Sequence, residues 1–171
     1  MIDLILGGNK SGKSDFGLEL LAAGPKPWTM IATGKSRDLA FREQIQAHRQ
    51  TRDPSILVRE VGTELPEIVA ELSGQTGSVL VDSLDFWIFA IQNRCLDHSA
   101  RLARQAELID ALQGWHGGRL VLVSTEMGLG PLAFDGSVRA FARDLGQLNR
   151  EIARVSTSVY LVLAGLAHKL K

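Results

Sequence analysis

Five short apolar runs punctuate the chain, at residues 2–6, 28–32, 78–81, 119–124 and 159–164. Each is rich in valine, isoleucine and leucine, lacks strict alternation, and gives way to small or polar residues. That is the pattern of a strand buried on both faces. A weaker sixth run covers residues 56–61. The stretches between them follow a helical period. Residues 14–22 follow the first run directly. Residues 38–52 place Phe41, Ile45 and His48 on one side, with Leu39 and Arg42 beside it. Residues 65–72 open near Pro66, which a first helical turn tolerates. Residues 86–94 and 100–115 are further helical stretches, and 135–155 is the longest. In that last segment Val138, Phe141, Leu145, Leu148 and Ile152 recur at steps of three or four. Gly114, Gly117 and Gly118 mark a helix end before the next strand. Strands alternating with helices require crossover connections, so the expected fold is α/β, a mostly parallel sheet flanked by helices. Ligands of such sheets bind beyond the carboxyl ends of the strands. The residues just after each apolar run are therefore the ones that matter.

The length of 171 residues suits a single domain spanning 1–171, with no internal repeat, low-complexity segment or long linker. A chain of this size buries about 70% of the surface its unfolded form exposes, so it needs no disulfide or structural metal to fold. Lys plus Arg number 19 and Asp plus Glu number 19. A net charge of zero argues against a dedicated nucleic-acid binder. The lone cysteine, Cys95, excludes an internal disulfide and a Cys-rich zinc site, and reads as a packing residue. No apolar stretch approaches the roughly 18 residues of a membrane span. Met1-Ile2-Asp3-Leu4 lacks the basic start of a signal peptide. The expected setting is cytoplasmic. His98, His116 and His168 lack metal-ligand spacing and read as surface or terminal residues. Trp28, Trp87 and Trp115 read as core or interface.

One segment changes the picture. Directly after the first run the chain reads Gly7-Gly8-Asn9-Lys10-Ser11-Gly12-Lys13-Ser14, which satisfies G-x-x-x-x-G-K-[ST] between a strand and a helix. The glycines let backbone amides turn toward phosphate oxygens, and the helix N-terminus adds partial positive charge. Lys13 is expected to reach the β- and γ-phosphates, and the Ser14 hydroxyl to ligate Mg2+. Asp82 closes the third run and is the expected Walker-B-like acid that helps hold magnesium. Its alternative role is a helix N-cap, and nearby Asp85 is a rival ligand. No Asn-Lys-x-Asp segment follows a later strand, which weakens a regulatory GTPase reading and leaves GTP open as a substrate.

Across residues 2–171 the order of segments resembles one family, the bifunctional adenosylcobinamide kinase/adenosylcobinamide-phosphate guanylyltransferases. The phosphate loop looks like the family's Gly-Gly-x-x-Ser-Gly-Lys-Ser. Ile31-Ala32-Thr33 resembles its second strand end, and Ile45-Gln46-Ala47-His48-Arg49 with Arg52 its histidine helix. Asp82-Ser83-Leu84 with Trp87 resembles its acidic strand and following helix. Ser124-Thr125-Glu126-Met127-Gly128-Leu129-Gly130 is similar to its glutamate–glycine loop. Phe141-Ala142-Arg143-Asp144-Leu145-Gly146 with Leu148-Asn149 resembles its long helix, and Ala164-Gly165-Leu166 with Lys169-Leu170-Lys171 its final segment. The chain departs from the family pattern at Leu39-Ala40-Phe41, Asp85, Ala90, Thr125 and residues 132–135, around the sites more than in the core.

The resemblance implies a RecA-like P-loop fold, a homotrimer, a corrinoid substrate, and ATP and GTP as nucleotide substrates. It also implies two reactions. A γ-phosphate passes to adenosylcobinamide, and GTP then donates GMP to that phosphate through a guanylylated histidine, which by position is His48. Spacing alone leaves His48 a partly buried helix residue. A neutral imidazole is nevertheless a competent nucleophile near pH 7. Arg49 and Arg52 suit either phosphate binding or a solvated helix face. Glu126 suits the orientation of magnesium, water or an acceptor hydroxyl, or a structural hydrogen bond. Gly128 and Gly130 mark a tightly turned or flexible lip. Two other readings stand beside the bifunctional enzyme: a single-activity small-molecule kinase of the same fold, and a non-catalytic nucleotide-binding module. The choice between ATP and GTP as phosphate donor is open at this level.

Overall fold

The computed structural model describes residues 1–33, 53–94, 97–131 and 133–171. The expected helix at 38–52, with His48, Arg49 and Arg52, lies outside the described residues, as does Cys95. In chain order the elements are β1 Ile2–Gly7, α1 Lys13–Ala22, β2 Trp28–Ala32, β3 Ile56–Glu60 and α2 Leu65–Leu72. They continue with β4 Ser78–Asp82, α3 Leu84–Arg94, α4 His98–Gln113, β5 Leu120–Thr125, α5 Gly136–Val155, β6 Ser158–Leu163 and β7 Leu166–Lys169.

The strands form one sheet in the order β3-β2-β4-β5-β1-β6-β7. Pairing is parallel throughout except for β7, which returns antiparallel along β6. Successive residues of a strand serve opposite faces, and the core divides accordingly. Leu4, Ile31, Val79, Val81, Leu120 and Leu122 pack on one side with side chains of α2, α3, α4 and α5. Ile5, Met30, Leu80, Val121 and Val123 pack on the other with Leu21 and Phe16 of α1. This two-sided burial explains why the runs read as continuous apolar stretches.

The sixth run is a true strand, but β3 forms an edge, and Leu57 stands 67% exposed. The run at 159–164 ends one residue earlier than expected, because Ala164 adopts a φ of 50° and begins a turn. The expected helix at 100–115 starts at His98 and stops at Gln113. Trp115 has left the helix to pack in the core, with its Nε1 donating to the Gly118 carbonyl at 3.0 Å. Trp87 is wholly buried, with its Nε1 donating to the Thr63 carbonyl at 3.3 Å. Trp28 is only half-buried and lies under the Lys26 ammonium, 4.3 Å from the ring centre. His98, His116 and His168 are all exposed, as expected.

At the end of the sheet where the strands begin, Asp3 is buried and pairs with Arg119 Nε at 2.7 Å. That pair sits at the edge opposite the carboxyl ends.

Candidate functional site

The carboxyl ends of β1, β4 and β5 converge through the register. Gly7 lies beside Thr125, and Asp82 beside Val123. The chain leaves β1 at Gly7 and enters α1 at Lys13, so the glycine-rich segment wraps the N-terminus of α1. Gly12 occupies the N-cap position with a φ of 92°, a left-handed conformation that favours glycine. A Cβ there would also stand 3.1 Å from the Gly165 Cα. The Ser11 amide donates to the Gly8 carbonyl at 3.3 Å, closing the loop on itself. Lys13 folds back over it, with Nζ donating to the same carbonyl at 3.1 Å.

Ser14, in the first turn of α1, donates its hydroxyl to Asp82 Oδ1 at 3.2 Å. The two residues are 68 positions apart in sequence, and the sheet brings them together. A hydroxyl and a carboxylate oxygen side by side at a phosphate loop are hard donors of the kind Mg2+ takes, so these residues fit that ion. The Asp82 end of β4 is also braced from β2. Thr33 donates its hydroxyl to the Ser83 carbonyl at 2.6 Å and accepts from the Ser83 amide at 3.0 Å. The Asp82–Ser83 peptide is cis. Asp85 lies three residues on, and its Oδ1 is buried with no hydrogen-bond donor among the described residues.

Glu126 follows β5 and adjoins the loop, its amide donating to the Gly7 carbonyl at 3.1 Å. Its carboxylate accepts from the Gly128 amide at 2.6 Å, so it shapes its own loop. Behind it, Asn149 of α5 is buried and bonded twice. It accepts from the Ser124 hydroxyl at 2.6 Å and donates to the Thr125 carbonyl at 3.1 Å. Thr33 and Asn149 thus hold the two strand ends that carry Asp82 and Glu126. Neither belongs to any nucleotide-binding motif. The sequence marked both as positions of the family resemblance, Thr33 at the second strand end and Asn149 in the long helix, but gave no sign of these contacts.

Two carboxylates elsewhere in the fold have lowered pKa values. Hydrogen bonds from the Ser137 hydroxyl and amide hold Asp135 below its ordinary range at the start of α5. The Arg104 guanidinium does the same to Glu67.

A parallel sheet with a glycine-rich loop, Lys13, Ser14 and a facing Asp82 defines a P-loop nucleotide-binding α/β protein. Solved structures agree on the fold. A prototypical ATPase from the type III secretion system of pathogenic bacteria superposes with a TM-score of 0.58 at 13% identity. The P4 protein from bacteriophage phi6 in complex with ADP does so at 0.53 and 16%. Each match covers 98% of this chain and only 56% and 53% of those longer chains. The chain belongs to the cobinamide kinase / cobinamide phosphate guanyltransferase family, whose model matches residues 3–170. It is similar to the bifunctional adenosylcobalamin biosynthesis protein CobP of Pseudomonas aeruginosa. That match is 31% identical and covers 100% of this chain and 98% of the relative. The protein CobU of Salmonella typhimurium, of the same bifunctional description, is 25% identical with 100% of both chains covered.

Proposed function

We propose that this chain is the bifunctional enzyme of cobalamin assembly that phosphorylates adenosylcobinamide and then converts the phosphate to a GDP ester. The observation that carries the reading is the whole-length family match together with an intact Lys13, Ser14 and Asp82 at one sheet edge. A degenerate binding module has no reason to keep Ser14 and Asp82 within bonding distance.

In the kinase step the corrinoid hydroxyl oxygen attacks the γ-phosphorus, the bond to the β-phosphate bridge breaks, and a nucleoside diphosphate leaves. The amides of residues 7–14 bind the triphosphate, and Lys13 leaves the Gly8 carbonyl to meet the charge that builds on the β- and γ-oxygens. Ser14 and Asp82 would hold magnesium, which when bound neutralises part of that charge. Glu126, tied to the loop through Gly7, orients the acceptor hydroxyl. In the transferase step neutral His48 attacks the α-phosphorus of GTP and expels pyrophosphate. The cobinamide phosphate oxygen then attacks the same phosphorus and releases the imidazole. Arg49 and Arg52, one and four positions after His48, bind phosphate oxygens as it reacts.

The enzyme works as a homotrimer in the cytoplasm, where nucleoside triphosphates are available. No described helix is long and apolar enough to cross a membrane.

The test is phosphate transfer from γ-labelled ATP or GTP to cobinamide. Wild type gives labelled cobinamide phosphate, and Lys13→Ala lowers the rate by about 100-fold or more. Nucleotide binding without any transfer would return the chain to a non-catalytic role.

A further inference from the structure

A phosphate loop turns its amides inward and so turns carbonyls outward, where each needs a partner. The Gly8 carbonyl is met from within, by the Ser11 amide and Lys13 Nζ. The Ser11 carbonyl is met from outside the loop, by the Gly165 amide at 2.8 Å. Gly165 is the second of two residues that turn β6 into β7. Ala164 at φ 50° and Gly165 at φ 80° lie between the paired Leu163 and Leu166, both left-handed, as a tight two-residue hairpin of this hand requires. The same turn packs on Gly12, whose missing Cβ would stand 3.1 Å from the Gly165 Cα and 3.6 Å from its nitrogen. The two loop residues just ahead of Lys13 therefore rest on this hairpin.

The hairpin is itself anchored at its far end. Lys171 Nζ donates to the carbonyls of Ala153, Arg154 and Ser156, at distances of 3.1, 3.2 and 2.7 Å, at the C-terminus of α5. The Leu170 amide donates to the Val159 carbonyl at 2.8 Å. β6 lends Val159 and Val162 to the core, whereas β7 is exposed along all four residues and is still held at both ends.

We infer that the β6–β7 turn buttresses the triphosphate loop and that Gly165 is a positioning residue for nucleotide binding. The inference rests on reading residues 7–14 as the triphosphate site. The Gly165 amide fixes the outward carbonyl of Ser11. The Gly12 amide, which shares that peptide plane, is thereby aimed to the opposite side, inward, before a nucleotide arrives. A Cβ at Gly165 would meet no atom within 4 Å. Its cost lies in the left-handed backbone, which L-residues leave, carrying the amide away from Ser11.

The experiment compares full-length wild type, Gly165→Ala, Gly165→Val and Ala164→Gly for binding of magnesium-GTP and of inorganic tripolyphosphate, with melting temperatures alongside. Gly165→Val is expected to weaken both ligands about tenfold. Gly165→Ala moves the same way by less, and Ala164→Gly binds as wild type does. Equal loss for GTP and tripolyphosphate places the effect at the phosphates. Unchanged affinity in Gly165→Val, with or without a lower melting temperature, would reduce the hairpin to a structural part and overturn the inference. If Gly165→Val does not fold, Gly165→Ala decides, by weakened or by unchanged binding. Failure of wild type to bind either ligand would instead remove the reading of residues 7–14 on which the inference stands.

Discussion

Ser14 and Asp82 meet at 3.2 Å although they belong to different crossover units, and Thr33 braces the peptide that follows Asp82. Ser14→Ala leaves the fold intact and is expected to lower phosphate transfer while raising the magnesium concentration needed for half-maximal rate. A titration of activity against magnesium reads both effects. Asp3 and Arg119 make the contrast. Their pair is at the opposite sheet edge, with the Asp3 side chain 1% exposed. Arg119→Met strands a buried carboxylate and is expected to cost about 3 kcal/mol of stability, measured by urea unfolding, with nucleotide affinity unchanged. Ala164 tests the hairpin from the stability side. A φ of 50° is strained for alanine, so Ala164→Gly is expected to be neutral or to raise the melting temperature by about 2 °C.

At the scale of elements, α5 shows how a helix serves a site it does not enter. Its N-terminus is capped by Asp135, which accepts from the amides of Ser137 and Val138 at 2.6 and 3.3 Å. Because these bonds and the Ser137 hydroxyl hold its carboxyl below the ordinary 3.8, its capping is fully present above that value. It is lost as pH falls through the lower folded value. The acid limb of a melting curve is therefore expected to flatten in Asp135→Asn, which keeps a capping oxygen but cannot titrate. Further along the helix, Asn149 secures the end of β5. Asn149→Ala leaves the buried Ser124 hydroxyl without its acceptor and is expected to cost about 1–3 kcal/mol. It also lowers transfer through the displaced Glu126 loop, whereas a merely structural asparagine would leave kcat unchanged. The long helix and β1, β2, β4, β5 and β6 were legible because burial on one or both faces writes a period into the sequence. β7 was not legible. Its Leu166-Ala167-His168-Lys169 is exposed throughout, so nothing selects an apolar pattern, and what defines it is the backbone turn before it.

For the whole molecule, the parallel sheet gathers chemistry from distant segments at one edge and keeps its buried ion pair at the other. The phosphate loop was legible in full because its chemistry demands fixed residue types at fixed spacing. The place of Asp82 was legible because it closes an apolar run, and the structure puts it at the end of β4 beside Ser14. The bracing by Thr33, Asn149 and Gly165 was hidden, since a hydrogen bond between segments far apart leaves no spacing to read. One P-loop protein is proposed to perform both phosphate and GMP transfer, with His48 as the covalent carrier. The most direct measurement is incubation with magnesium and α-labelled GTP, followed by denaturation and counting of protein-bound label, with γ-labelled GTP and His48→Ala in parallel. Acid-labile, alkali-stable label is expected from α-labelled GTP only, absent in His48→Ala, while that variant still phosphorylates cobinamide. Equal labelling of wild type and His48→Ala would remove His48 as the carrier, and no label in wild type despite GTP binding would remove the covalent intermediate.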